Sequence, residues 1–196
     1  KSSKKFGFNV YLGSLIAVGA STLTGILIGV FGSDNQEVAS YTIALQFTAP
    51  LSLIPNVLGT SHFKEFTHSS RIAPRLLLYM YVLSCCVMLF VFCFAELLVN
   101  FFFEDVYSDV VVLLNILTIG SVLYGLSNLY NKFLLSKGEG EIIRNISLVV
   151  GSTLLISNLV LINLYGAIGA SIAFVISGAT YLLIVKYCYI KITRQL

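Results

Sequence analysis

All twelve Lys and Arg residues of the chain fall into four tight clusters, and the long stretches between them carry no basic residue. The clusters are Lys1, Lys4 and Lys5; Lys64, Arg71 and Arg75; Lys132, Lys137 and Arg144; Lys186, Lys191 and Arg194. Each basic-free stretch is long enough to cross a bilayer out and back, at ~20 apolar residues per crossing. Segregation of basic charge to alternate loops is the positive-inside pattern of three consecutive helical hairpins. Acidic residues mark the expected far turns: Asp34 and Glu37 in the first stretch, and Glu96, Glu104, Asp105 and Asp109 in the second. The sequence therefore predicts both termini and the basic loops on the cytoplasmic side, with outward turns near Asp34, Glu104 and Tyr165.

Composition agrees. Hydrophobic residues make up 57% of the chain and charged residues 11%, with a mean hydropathy of +0.91. A soluble domain averages about 45–50% apolar and roughly 25% charged. A soluble fold of this size has no interior large enough for so much apolar surface, whereas a bilayer accepts it as solvent. The net charge of +3 follows from topology and carries no implication of nucleic acid. It suits an anionic inner leaflet, so membrane lipid is an expected partner. Cys85, Cys86, Cys93 and Cys188 form no CxxC pair and lie in apolar segments. They read as reduced thiols packed as small hydrophobes.

Six spans are expected, at about 8–31, 38–63, 76–98, 109–133, 142–164 and 166–190. Only helices satisfy backbone groups in lipid over such lengths, so the expected class is an all-α polytopic membrane protein forming one six-helix unit over 1–196. Gly13, Ala17, Ala20, Ser21 and Thr24 in the first span, and Gly166, Ala170, Ala173 and Ser177 in the sixth, recur at helical spacing and predict close helix contacts.

No catalytic constellation is visible, and no cofactor is implied. His62 and His68 lack metal-ligand partners at useful spacing. Gly138 and Gly140 stand outside any phosphate-loop pattern and read as a helix-connecting turn. Asn145-Ile146-Ser147 matches a glycosylation sequon but adjoins Arg144 on the predicted cytoplasmic side. No Asp, Glu, Lys or Arg occupies the middle of a predicted span, although ion-coupled pumps usually bury an ionisable residue.

The second span carries the strongest functional signal: Gln46, Thr48, Pro50, Ser52, Pro55 and Asn56. Each proline removes an i→i−4 bond and frees a carbonyl, and interrupted helices line transporter cavities. Gln46 and Asn56 lie about 80° apart around a 3.6-residue helix, on overlapping faces. Gln46, Thr48, Ser52 and Asn56, with Asn128 on the fourth span, are the candidate path residues. The alternative role for the second span is a kinked packing helix with locally satisfied polar groups. Tyr124, Asn128 and Asn131 recur along one face of the fourth span.

Several stretches carry a family likeness: Phe6-Gly7-Phe8-Asn9-Val10-Tyr11-Leu12, Val38-Ala39-Ser40-Tyr41-Thr42-Ile43-Ala44, Leu53-Ile54-Pro55-Asn56-Val57-Leu58, Leu134-Leu135-Ser136-Lys137-Gly138-Glu139, and Leu164-Tyr165-Gly166-Ala167-Ile168-Gly169-Ala170-Ser171-Ile172-Ala173. In order and spacing they resemble the C-terminal half of bacterial polysaccharide exporters. These are the O-antigen or lipid-linked oligosaccharide flippases of the multidrug/oligosaccharidyl-lipid/polysaccharide superfamily. The resemblance implies one lobe of a two-lobe fold in the bacterial cytoplasmic membrane, an N-terminal lobe earlier in the same full-length protein, and alternating access for an undecaprenyl-pyrophosphate-linked oligosaccharide. Such relatives place basic residues in the cavity, and these spans have none at mid-depth. The first lobe, or the cytoplasmic-edge residues Lys64, Arg71 and Lys132, is expected to supply them. The rival readings are a multidrug antiporter of that superfamily, a six-helix scaffold subunit without transport, and a membrane enzyme of lipid-linked sugar metabolism. The last would need Asp, His or Arg clusters at one membrane edge.

Overall fold

The computed structural model describes residues 3–32, 34–103 and 108–194. Lys1, Ser33, Glu104 and Asp105 lie outside them. The described chain is helical throughout apart from its short connections, so the all-α expectation holds. The helices are α1 (Ser3–Phe31), α2 (Asn35–Ser61), α3 (Phe63–His68), α4 (Pro74–Phe103), α5 (Ser108–Ser136) and α6 (Gly140–Thr193). Five of them, all but the short α3, are long and apolar enough to cross a membrane. Many large apolar side chains face outward, among them Leu15, Leu78, Phe101 (80% exposed) and Leu183. A water-soluble monomer does not tolerate that much contiguous apolar surface, and in a bilayer it is the lipid-facing surface. This is a multi-pass membrane protein.

At 54 residues α6 would be about 80 Å long if straight, more than twice the ~30 Å hydrocarbon core. It folds back instead. Gly166 has φ 55 and ψ −133, outside the helical region, and only glycine takes that conformation without a Cβ penalty. The two arms then run antiparallel, the Ser177 hydroxyl donating to the Val150 carbonyl at 3.3 Å.

The helices share two ends. At one, Lys5 pairs with Glu141 at 2.7 Å. The Lys137 ammonium donates to the Ser69 carbonyl at 2.6 Å, and the Ile72 N–H donates to the Tyr189 hydroxyl at 3.2 Å. These three contacts bring all four basic clusters together, and we call this the basic end. At the other end, which we call the acidic end, Asp34 and Glu37 lie beside the Gly166 break, with no Lys or Arg near them in sequence. Glu96 sits in α4 itself, exposed, rather than in a turn.

α5 is the hub. Its apolar stretch is 56% buried, against 17% for that of α1, because α2, α4 and α6 all pack on it. Two cores flank its length. One, around Ile28, Tyr41, Leu117 and Ile162, lies toward the acidic end. The other, around Phe66, Met80, Phe133 and Val185, lies at the basic end. All four cysteines are free. Cys85, Cys86 and Cys93 are exposed on α4 rather than packed, and Cys188 is half-buried.

Candidate functional site

α1 packs along α6 and α2 along α5, while α1 and α2 touch only sparingly. Joined at the acidic end, the two helices diverge toward the basic end and leave a groove floored by α5 and α6. Its volume is about 740 Å³. Ser14 and Ser21 of α1, Ser52 of α2, Tyr124, Asn128, Asn131 and Lys132 of α5, and Ser147 and Tyr181 of α6 supply its polar lining. Among the described residues, Lys132 is the one charged residue lining it.

The floor is hydrogen-bonded in place. Ser177 has one proton and spends it on the Val150 carbonyl, so Tyr124 is the donor in the 2.6 Å Tyr124–Ser177 bond. Tyr181 donates to Asn128 Oδ1 at 3.3 Å, which leaves the Asn128 amide N–H groups available to a ligand. Tyr124 also stacks on Phe174, with ring centroids 4.7 Å apart. The result is a rigid aromatic and amide surface built from two helices.

Lys132 is held by its stem. A Cβ on Gly59 would come within 3.1 Å of Lys132 Cγ, so the glycine of α2 makes room for the lysine of α5. Higher in the same interface, a Cβ on Gly125 would come within 2.8 Å of Pro55 Cγ. The second proline of α2 thus lies flat on a glycine of α5. Pro50 and Pro55 both lie inside a continuous α2. Pro55 is buried against α5 in this way, whereas Pro50 is exposed.

Of the candidate path and cytoplasmic-edge residues, the groove brings together Ser52, Asn128 and Lys132, along with Tyr124 and Asn131 from the same face of the fourth span. Thr48 is fully buried and its hydroxyl donates back to the Leu45 carbonyl at 2.9 Å, a packing role. Gln46 is exposed and Asn56 half-buried, and neither lines the groove. Lys64 lies in a shallow recess with Ser61, Glu65 and His68. Arg71 is exposed in the α3–α4 connection. Tyr181, Ser147 and Ser14 are not legible as lining in the sequence, because each reaches the groove through a tertiary contact with no local sequence mark.

Among the described residues no group of three or more His, Cys, Asp or Glu side chains could hold a metal ion. Comparisons with family models, with curated proteins and with solved structures return no match for this chain.

Proposed function

We propose that this chain is the C-terminal lobe of a two-lobe exporter in a bacterial cytoplasmic membrane. Its substrate is an undecaprenyl-pyrophosphate-linked oligosaccharide, an O-antigen or capsule repeat unit. The N-terminal lobe of the same full-length protein supplies the opposite wall of the path, and the two lobes rock to expose it to each side in turn. No bond is made or broken.

The observation that carries this reading is the groove between α1 and α2. Its lining mixes apolar side chains with uncharged hydroxyl and amide groups, and among the described residues Lys132, near the basic end, is the one charged group on it. Hydroxyl and amide groups with a stacked aromatic pair suit a sugar, which offers many hydroxyls and apolar ring faces. One lysine near the basic end suits an anionic phosphate as a point charge. The divergence of α1 and α2 supplies an opening on the side from which the substrate would load.

The test uses a bacterium whose surface polysaccharide depends on the full-length protein. Asn128→Leu and Lys132→Gln are expected to lower the surface glycan several-fold, with the membrane level of the protein unchanged. Normal export in both variants would overturn the reading.

A further inference from the structure

A second groove lies at the basic end, between the two arms of α6. It measures about 420 Å³. We propose that it holds one anionic phospholipid of the leaflet at the basic end, with the phosphate at Lys191 and an acyl chain running up between the arms. This inference rests on the chain's being a multi-pass membrane protein and is independent of the transport reading.

The chemistry is graded along the groove. Ile142, Ile146 and Val149 of the first arm face Ile184 of the second, giving apolar walls. The track continues toward the acidic end. Val149 and Ile156 are seven apart, and Ile184 and Ile176 eight apart, so each pair shares a helix face. Val149, Ile156 and Ile176 are all exposed. That is a channel for a hydrocarbon tail, open along its length to the surrounding lipid.

The polar groups gather at the basic end, where a head group would lie. They are donors. No described residue forms a salt bridge with the exposed Lys191 ammonium. The Asn145 carbonyl oxygen accepts from Arg144 Nε at 3.3 Å and from Arg144 Nη2 at 3.1 Å, so the Asn145 amide N–H groups are left to donate. Tyr187 adds a hydroxyl. An ammonium, an amide and a phenol converging on one mouth suit a phosphate, which only accepts. Glu139 also lines the mouth but is engaged within the protein. Lys191 and the neighbouring Arg144 outnumber it, so the local charge favours an anionic over a zwitterionic lipid. Basic pockets between membrane helices on the basic side are known lipid sites by this same chemistry.

The experiment is native mass spectrometry of the detergent-purified protein titrated with phosphatidylglycerol or phosphatidylcholine. Phosphatidylglycerol should be retained in preference, as a single tightly held copy. Lys191→Gln should weaken its retention about fivefold, the equivalent of one lysine's attraction at a membrane surface. Lys186→Gln, an exposed cation of the same cluster outside the groove, should leave it unchanged. Val149→Trp, which fills the track from an exposed position, should displace the lipid while the protein stays monodisperse. Equal retention of the two lipids would overturn the proposal. So would equal loss from both lysine variants, which would mark diffuse surface attraction, or undiminished retention in Val149→Trp.

Discussion

The Glu37 carboxylate, in the first turn of α2, accepts the backbone N–H of Ala167 at 3.1 Å across 130 residues of chain. Ala167 is the first residue after the break at Gly166, so its N–H is one of the unpaired donors at the start of the second arm of α6. A carboxylate at a helix N-terminus satisfies that donor and complements the helix dipole. The α1–α2 turn is thereby pinned to the α6 hairpin. This end carries no basic residue that could compete for the carboxylate.

Glu37→Ala is expected to destabilise the protein by about 1 kcal/mol, the usual cost of a lost helix cap. Glu37→Gln, which keeps an acceptor oxygen but loses the charge, should cost less. Gly166→Ala should cost more than either. It places a Cβ at positive φ, and that Cβ would collide with the Glu37 carboxylate. Unfolding titrations in mixed detergent micelles measure all three. Wild-type stability in Glu37→Ala would show that the contact is incidental.

Asn158 and Thr24 give an asymmetric prediction. The fully buried Asn158 donates to Thr24 Oγ1 at 2.8 Å, tying the first arm of α6 to α1. Its own Oδ1 is buried with no partner among the described residues. Thr24→Val orphans the Asn158 amide, whereas Asn158→Leu removes the whole amide together with its unpaired oxygen. An orphaned buried group costs more than a matched apolar replacement. Thr24→Val should therefore be the more destabilising single change. The double-mutant coupling should be about 0.6 kcal/mol, typical of hydrogen bonds between membrane helices. The reverse order of the single variants would count against the bond.

The α2–α5 interface and the middle of α1 predict opposite outcomes at two glycines. Gly125→Ala forces a Cβ toward the Pro55 ring and should cost about 1–3 kcal/mol through overpacking. Gly19, in the middle of α1, has no neighbouring atom within 4 Å of the point where a Cβ would sit. Gly19→Ala should be neutral or stabilising by up to ~1 kcal/mol from helix propensity. Thermal unfolding of the two variants side by side tests the packing directly.

The class of the fold is legible in the sequence because it depends on long-range averages. Apolar length and the spacing of twelve basic residues survive any error in local detail. The groove is only half legible, for a reason visible in α2. Thr48 and Ser52 are four apart and look equivalent in the sequence, yet small differences in helix phase and tilt bury one against α5 and open the other to the groove. Which polar residue faces a cavity depends on how α1 and α2 diverge, and that divergence is set by contacts such as Gly125 on Pro55 and Gly59 on Lys132. Those partners lie some 70 positions apart, beyond any local pattern. Glu37 shows the same limit. In the sequence it reads as a turn marker, and its role as a cap emerges only once Ala167 is beside it.

The charge distribution predicts an orientation for the two ends. The basic end gathers every Lys and Arg of the described chain, and such ends stay on the cytoplasmic side during insertion. With the four native cysteines replaced by alanine or serine, Lys64→Cys and Tyr165→Cys place single thiols at opposite ends, both at exposed positions. A membrane-impermeant maleimide should label Tyr165→Cys in intact cells and reach Lys64→Cys only after permeabilisation. The reverse pattern would invert the topology. Labelling of both from outside would contradict the two-ended bundle, because Tyr165 adjoins the Gly166 break while Lys64 lies at the end that the Lys137–Ser69 contact binds together.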